Sequence, residues 1–273
     1  MDFEKLRSVF GGKLSQEQVD GINSINDAWE KYGDGDVRKY AYVLATAAHE
    51  TGMSMEPVTE NLNYTSAARI QQVWPKRFLT VASAQPYVKK AQALANKVYG
   101  DRSELGNNEP NDGWVYRGRG YAQITGKGLY GKVGKLIGED LVKYPDLAKR
   151  PEYAAKALVV GLMRGMFTTK KLSDYINDST TDYVGARRCV NADVVANGPK
   201  IAKLAQSFIP AITPIKSAPV PKPVDTPKPT SVPYPSTPVS TTHQKVPVPA
   251  ILAAFGLGAA GIIYFILRQN GAL

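Results

Sequence analysis

Apolar positions recur at helical spacing through most of the first 209 residues, stop, and return near the C-terminus as one unbroken run. Ser15 followed three residues later by Gln18 reads as a capping box, with Leu14 and Val19 as a hydrophobic staple. Val19, Ile22, Ile25 and Trp29 then share one face, so a helix is expected up to the break at Gly33-Asp34-Gly35-Asp36. A second helix is predicted over residues 37–49, with Ala41, Leu44, Ala45 and Ala48 on one face and a stop at Thr51-Gly52. Glu50 thus falls near the end of a buried helix of small residues. Residues 53–66 lack periodicity, and a helix over 86–99 would carry its proline in the first turn. Glycines, Asn107-Asn108 and Pro110 give residues 101–128 the character of loops, short strands or a small hairpin. Helical spacing returns over 129–137, 151–167, 172–176, 182–190 and 194–208. The expectation is a mainly α domain over residues 1–209 with one loop-rich insert.

Two appendages follow. Twelve of the nineteen prolines fall in residues 210–249, where Pro alternates with Val, Lys, Thr and Ser. Such a stretch cannot bury a core and is expected to be an extended spacer of polyproline II type, although its Pro-x-x-Pro spacing also suits an SH3-type ligand. Residues 250–267 are eighteen uncharged, mostly apolar positions. As a helix they would span about 27 Å, enough for a bilayer's hydrocarbon core, and a transmembrane helix is expected there with a short polar tail at 268–273. Gly256 with Ala260, and Ala254 with Gly258, have the small-xxx-small spacing that lets such helices self-associate. Lys245 and Arg268 flank the run and balance each other, so they set no orientation. Residues 1–7 contain no apolar h-region, and no signal peptide is expected.

The chain has a formal net charge of +10, of which +6 remains on residues 1–209 once Lys216, Lys222, Lys228, Lys245, Arg268 and Asp225 are set aside. A basic domain attracts polyanions, including nucleic acid, anionic lipid and the acidic bacterial wall, and charge alone does not choose among them. Cys189 is the only cysteine, which excludes an intrachain disulfide and a thiolate metal cluster. His49 and His243 are the only histidines, too few for a convincing zinc site or Ser-His-Asp triad. His-Glu-x-x-His would need a histidine at 53, where Met53 stands. No metal or organic cofactor is expected.

The carboxylates offer more. Glu50 sits in His49-Glu50-Thr51-Gly52, and a carboxyl pressed against apolar packing can act as a general acid near neutral pH. Glu60 lies ten residues on, in Glu60-Asn61-Leu62-Asn63-Tyr64. Cleaving a glycosidic bond takes two such groups on opposite sides of it, but a pair at this spacing is by itself weak evidence and reads first as two solvated surface residues. The segment from Tyr116-Arg117-Gly118-Arg119-Gly120 to Gln123-Ile124-Thr125-Gly126 could bind single-stranded nucleic acid or wall a sugar cleft. One short copy gives little support to specific nucleic-acid binding.

Taken in order, His49-Glu50-Thr51-Gly52, Glu60-Asn61-Leu62-Asn63-Tyr64, Tyr116-Arg117-Gly118-Arg119-Gly120, Gln123-Ile124-Thr125-Gly126 and Val190-Asn191-Ala192 resemble glycoside hydrolase family 19. The similarity is nearest the family's phage endolysin branch, often labelled chitinase class I-like, and covers about residues 10–209. It implies a lysozyme-like, two-lobed helical fold with a cleft, and an inverting hydrolase of peptidoglycan or a chitin-like glycan. It also implies Glu50 as general acid, Glu60 as general base, Thr125 as the hydroxyl that places the attacking water, and His49, Tyr116, Gln123 and Asn191 as sugar contacts. Two positions depart from the family's pattern. Asn191-Ala192-Asp193 stands where Asn-Gly-Gly is common, and Leu129 where many relatives have asparagine. A lytic transglycosylase and a wall-binding protein without turnover are the alternatives. An anchored phage lysin would belong in a virion membrane or the host's inner membrane, serving entry or lysis.

Overall fold

The computed structural model describes residues 1–212. The Pro-rich stretch from 213 onward and the expected membrane helix at 250–267 lie outside the described residues. Among the described residues no helix is long and apolar enough to cross a membrane. The chain forms α1 (Phe3–Val9), α2 (Gln16–Tyr32), α3 (Val37–Glu50), β1 (Val58–Thr59), α4 (Ala67–Val73), α5 (Val81–Ala84), α6 (Ala91–Tyr99), α7 (Asp112–Val115), β2 (Arg119–Gly120), α8 (Lys127–Ile137), α9 (Pro151–Arg164) and α10 (Val194–Phe208). The fold is mainly helical, as the periodicity predicts.

The helices divide between two separate apolar clusters. In the larger, α2 packs along α9 and α3 along α10. In the smaller, Leu62, Ile70, Trp74, Phe78, Leu94 and Tyr99 gather between α4 and α6. The larger core is organised around α3, in which every residue from Lys39 to Ala48 is buried. A helix buried all round needs short side chains where its neighbours approach, and Ala41, Ala45, Ala47 and Ala48 supply them. Asp36 caps its start by accepting from the Arg38 N–H at 2.9 Å. At its end Thr51 Oγ1 donates to the Ala47 carbonyl at 2.8 Å and accepts from the Met55 N–H at 3.0 Å. The Ser15–Gln18 capping box of α2 is present, and Gln18 Nε2 also donates to the Met53 carbonyl at 2.8 Å. The turn after Glu50 is therefore held from both sides.

Several elements differ from the pattern-based expectation. The helix expected over 86–99 is interrupted: residues 85–87 form a 3₁₀ turn, Lys89 takes a left-handed φ of 59°, and α6 starts only at Ala91. Lys89 instead gives its N–H to the Tyr64 carbonyl at 2.8 Å. The segments at 172–176 and 182–190 close as 3₁₀ turns, Leu172–Asp174 and Gly185–Cys189. Helices α4, α5 and α7 are too short to show a periodicity. Packing continues past residue 209, since the Asp2 N–H donates to the Ala211 carbonyl at 2.8 Å and Ile212 is buried.

Inside residues 101–128 the hairpin character is limited to the single bridges Arg102–Asn107 and Arg119–Ile124. The two-residue strands instead pair this insert with the segment expected to be irregular, antiparallel, with Val58 opposite Gly120 and Thr59 opposite Arg119. The Glu60 N–H extends this ladder by donating to the Gly118 carbonyl at 2.9 Å. Glu60 thus leaves the sheet toward the smaller lobe, while Glu50 ends the central helix of the larger one.

Candidate active site

Glu50 does not face only apolar packing. Arg187, wholly buried, donates from Nη1 to Glu50 Oε1 at 2.5 Å, and the Glu50 side chain is itself only 3% exposed. The other edge of the guanidinium is gripped twice by Asp193, through Nε at 2.6 Å and Nη2 at 3.1 Å. Asn197 Nδ2 adds a bond to Asp193 at 2.7 Å. Burial opposes the Asp193 charge, but Arg187 and the Asn197 amide outweigh it and hold this carboxyl below its ordinary range. Burial likewise opposes the Arg187 charge, and the fields of Glu50 and Asp193 more than restore it. His49, half-buried beside this group, is pushed down by desolvation against the pull of Glu50.

Arg187 and Asp193 escaped the sequence reading as site residues. Asp193 is one of the departures from the Asn-Gly-Gly pattern, and its backbone adopts φ −77° and ψ 38°, which needs no glycine. Asn191 is buried, its Oδ1 accepts from the Ala192 N–H at 2.7 Å, and its Nδ2 has no hydrogen-bond partner among the described residues.

Glu60 has different company. The Tyr99 hydroxyl, from the core of the smaller lobe, donates to Glu60 Oε1 at 2.6 Å, and the Gly118 N–H reaches Oε2 at 3.3 Å. Burial raises the Glu60 carboxyl above its ordinary value, with Tyr99, Gly118 and the nearby Arg117 pulling the other way. Gln123 sits at a left-handed φ of 52° and gives both amide hydrogens to the Val58 and Gly120 carbonyls, each at 3.0 Å. A Cβ at position 118 would lie 2.7 Å from Gln123 Oε1 and 3.4 Å from Glu60 Oε2, so only glycine lets these groups converge. Thr125 is buried, and its hydroxyl donates to the Gln123 carbonyl at 3.0 Å, leaving oxygen lone pairs free to accept.

The structure therefore joins Glu60 and Gln123 at Gly118, with Thr125 following two residues on, and gives Glu50 a separate ionic partner. Tyr116 is placed otherwise than as an open sugar platform. Its hydroxyl donates to the Val142 carbonyl at 3.1 Å, and its ring meets Tyr130 edge-on at 5.4 Å within the larger core.

No family model matches the sequence. A protein of Haemophilus influenzae described as a glycosyl hydrolase family 19 domain-containing protein is 34% identical over 155 residues, which span 56% of this chain and 76% of that protein. Among solved structures, that of a bacterial family 19 chitinase aligns with a TM-score of 0.42 at 16% identity, over 74% of this chain and 92% of the other.

Proposed function

The chain belongs to glycoside hydrolase family 19 and is a glycoside hydrolase, and from that premise we propose that it hydrolyses the glycan strands of peptidoglycan with inversion. The reading rests on the match of Glu50 and Glu60 to the family's motif positions and on their placement in different parts of the fold, Glu50 at the end of α3 and Glu60 just beyond β1. Glu50, anchored in the larger lobe, protonates the glycosidic oxygen. Asp193 already neutralises the Arg187 guanidinium, so a protonated Glu50 leaves no unmatched charge behind it. Glu60, held by Tyr99 of the smaller lobe, takes a proton from the water that attacks the anomeric carbon on the opposite face. The carbon–oxygen bond breaks with its electron pair going to the leaving oxygen, which receives the Glu50 proton. Thr125 accepts a hydrogen bond from the attacking water, and inversion follows because water is the nucleophile. His49, Gln123 and Asn191, the positions matching the family's sugar contacts, contribute to the glycan-binding wall.

Peptidoglycan is preferred to chitin because the domain is basic and the wall is anionic, and because the resemblance is nearest to phage lysins. Residues 250–267 would tether the enzyme to a lipid bilayer through the spacer at 210–249, placing it in a virion or host membrane. Full-length protein incubated with bacterial sacculi should release muropeptides with reducing, hydrated ends, identified by mass spectrometry, and Glu50→Gln should lose at least about a hundredfold in rate. Anhydro ends would replace the proposal with a transglycosylase. Wall binding without product would replace it with a binding protein, and cleavage confined to chitin oligosaccharides would change the substrate.

A further inference from the structure

Beside the Glu60 loop lies an open hollow of about 550 Å³, within the size range of ligand clefts. Arg117, Arg119, Lys143, Lys149 and Arg150 line it, and Asp146 is the one carboxylate among its lining residues. That carboxylate is shared: Asp146 pairs with Arg119 Nη2 at 3.0 Å and with Lys149 at 3.3 Å. Arg150 turns to Glu152 at 2.7 Å. Arg117 and Lys143 have no carboxylate within ion-pair distance among the described residues. Arg117 sits over the Trp114 ring, its Cζ 3.7 Å from the ring centroid, and donates from Nη1 to the Trp114 carbonyl at 2.7 Å, which holds it in place. Arg119 is only 3% exposed, and its Nε is buried without a partner. Cations crowded with so few counter-charges form a site that an anion would complete. Desolvation, and then the like charge of Arg119, push Arg117 below its ordinary value, a penalty that an anion would relieve.

The location gives the anion's identity. Arg117 immediately precedes Gly118, whose N–H donates to Glu60 at 3.3 Å, and Arg117 and Glu60 feel each other's charge, so the hollow borders the candidate site. Chitin carries no charge and offers these cations nothing. A peptidoglycan strand carries, on every second sugar, a short peptide with free carboxylates. We propose that this hollow binds the carboxylates of that peptide and thereby selects peptide-bearing glycan over bare glycan. The inference rests on the wall-hydrolase reading above.

The test compares two substrates for the full-length protein: glycan strands with their peptides, and the same strands stripped by an amidase, which removes the peptide carboxylates and leaves one lactyl carboxylate on every second sugar. The wild type should show a lower KM on the peptide-bearing strands. Charge reversal at two exposed positions, Lys143→Glu with Lys149→Glu, should raise that KM about tenfold more than it raises KM on stripped strands, the size expected of two solvent-screened ion pairs. Added salt should narrow the difference between the substrates. Equal KM values for both strands, or an equal loss on both in the variant, would overturn the inference and leave the wall hydrolase standing. Cleavage of chitin oligosaccharides with neither strand touched would overturn the wall reading, and the inference with it.

Discussion

Arg187 Nη1 and Glu50 Oε1 meet at 2.5 Å, in a contact that neither residue's own neighbourhood in the chain announces. The guanidinium has no exposed surface, so its charge is matched by protein groups alone, chiefly by the two-point grip of Asp193. This makes Arg187 both a structural residue and the support that sets the direction of the Glu50 carboxyl.

Arg187→Met should therefore be severe. It leaves Asp193 and Glu50 facing an apolar stub, and breaking a buried ion pair from one side costs about 3–5 kcal/mol. Chemical denaturation should show that loss. Asp193→Asn is the gentler probe, because it keeps the shape and one acceptor oxygen. Arg187 is then left to Glu50 alone, and turnover should fall by roughly tenfold or more with the circular dichroism spectrum unchanged. Unaltered turnover in Asp193→Asn would mean that Asp193 does not bear on Glu50.

Tyr99→Phe removes the hydroxyl that donates to Glu60 at 2.6 Å, and with it one of the effects that favour the charged carboxylate. The Glu60 carboxyl should then hold its proton to higher pH. A general base works only when deprotonated, so the acid limb of the kcat/KM profile should move upward by about one pH unit, the equivalent of a hydrogen bond to a charged group. A profile that keeps its acid limb while losing height would indicate a packing defect.

Gly118→Ala tests the convergence of Glu60 and Gln123. The new methyl would come within 2.7 Å of Gln123 Oε1, and Gln123 cannot easily retreat because two carbonyls hold its amide. The cost in stability should be about 1–3 kcal/mol, as for other overpacked sites. Activity should fall further than stability, toward a hundredfold, because displacing Glu60 by a fraction of an ångström spoils the alignment of base and water. Equal activity in folded variant and wild type would detach Glu60 from the chemistry.

How far the site was legible follows from where each contact comes from. The Ser15–Gln18 cap, the run of small residues in α3 and its stop near Thr51 are local features, and each appears where the pattern puts it. The two carboxylates were visible as motif members for the same reason. Their partners were not. Arg187 is 137 residues from Glu50, while Tyr99 and Gly118 are 39 and 58 from Glu60, and no periodicity links positions so far apart. Asp193 left a faint signal as a carboxylate where glycine is usual. The break at Lys89 was invisible because it depends on the Tyr64 carbonyl, which only the folded smaller lobe presents. The resemblance implies Tyr116 as a sugar contact; its contacts with Val142 and Tyr130 are made with positions later in the chain, which the motif does not include.

Glu60 should also leave a signature in stability. Burial raises its folded carboxyl above the ordinary value of 4.5, with Tyr99, Gly118 and Arg117 only partly offsetting that rise. From about pH 4.5 up to the folded value, the folded protein binds more protons than the unfolded chain, so stability falls as pH rises through that window and stays lower above it. Glu60→Gln cannot ionise and lacks this loss. The stability of the variant relative to wild type should therefore grow as pH is raised above about 4.5 and level off once the folded Glu60 carboxyl has ionised, while its glycan cleavage is abolished. Denaturant midpoints for both proteins across that range make the measurement. If Glu60 is the proposed base, burial makes its working form destabilising, so the gain in stability and the loss of activity should appear together. A difference that stays constant with pH would mean that Glu60 ionises as readily in the folded protein as in water, and a buried general base could then not be assigned to it.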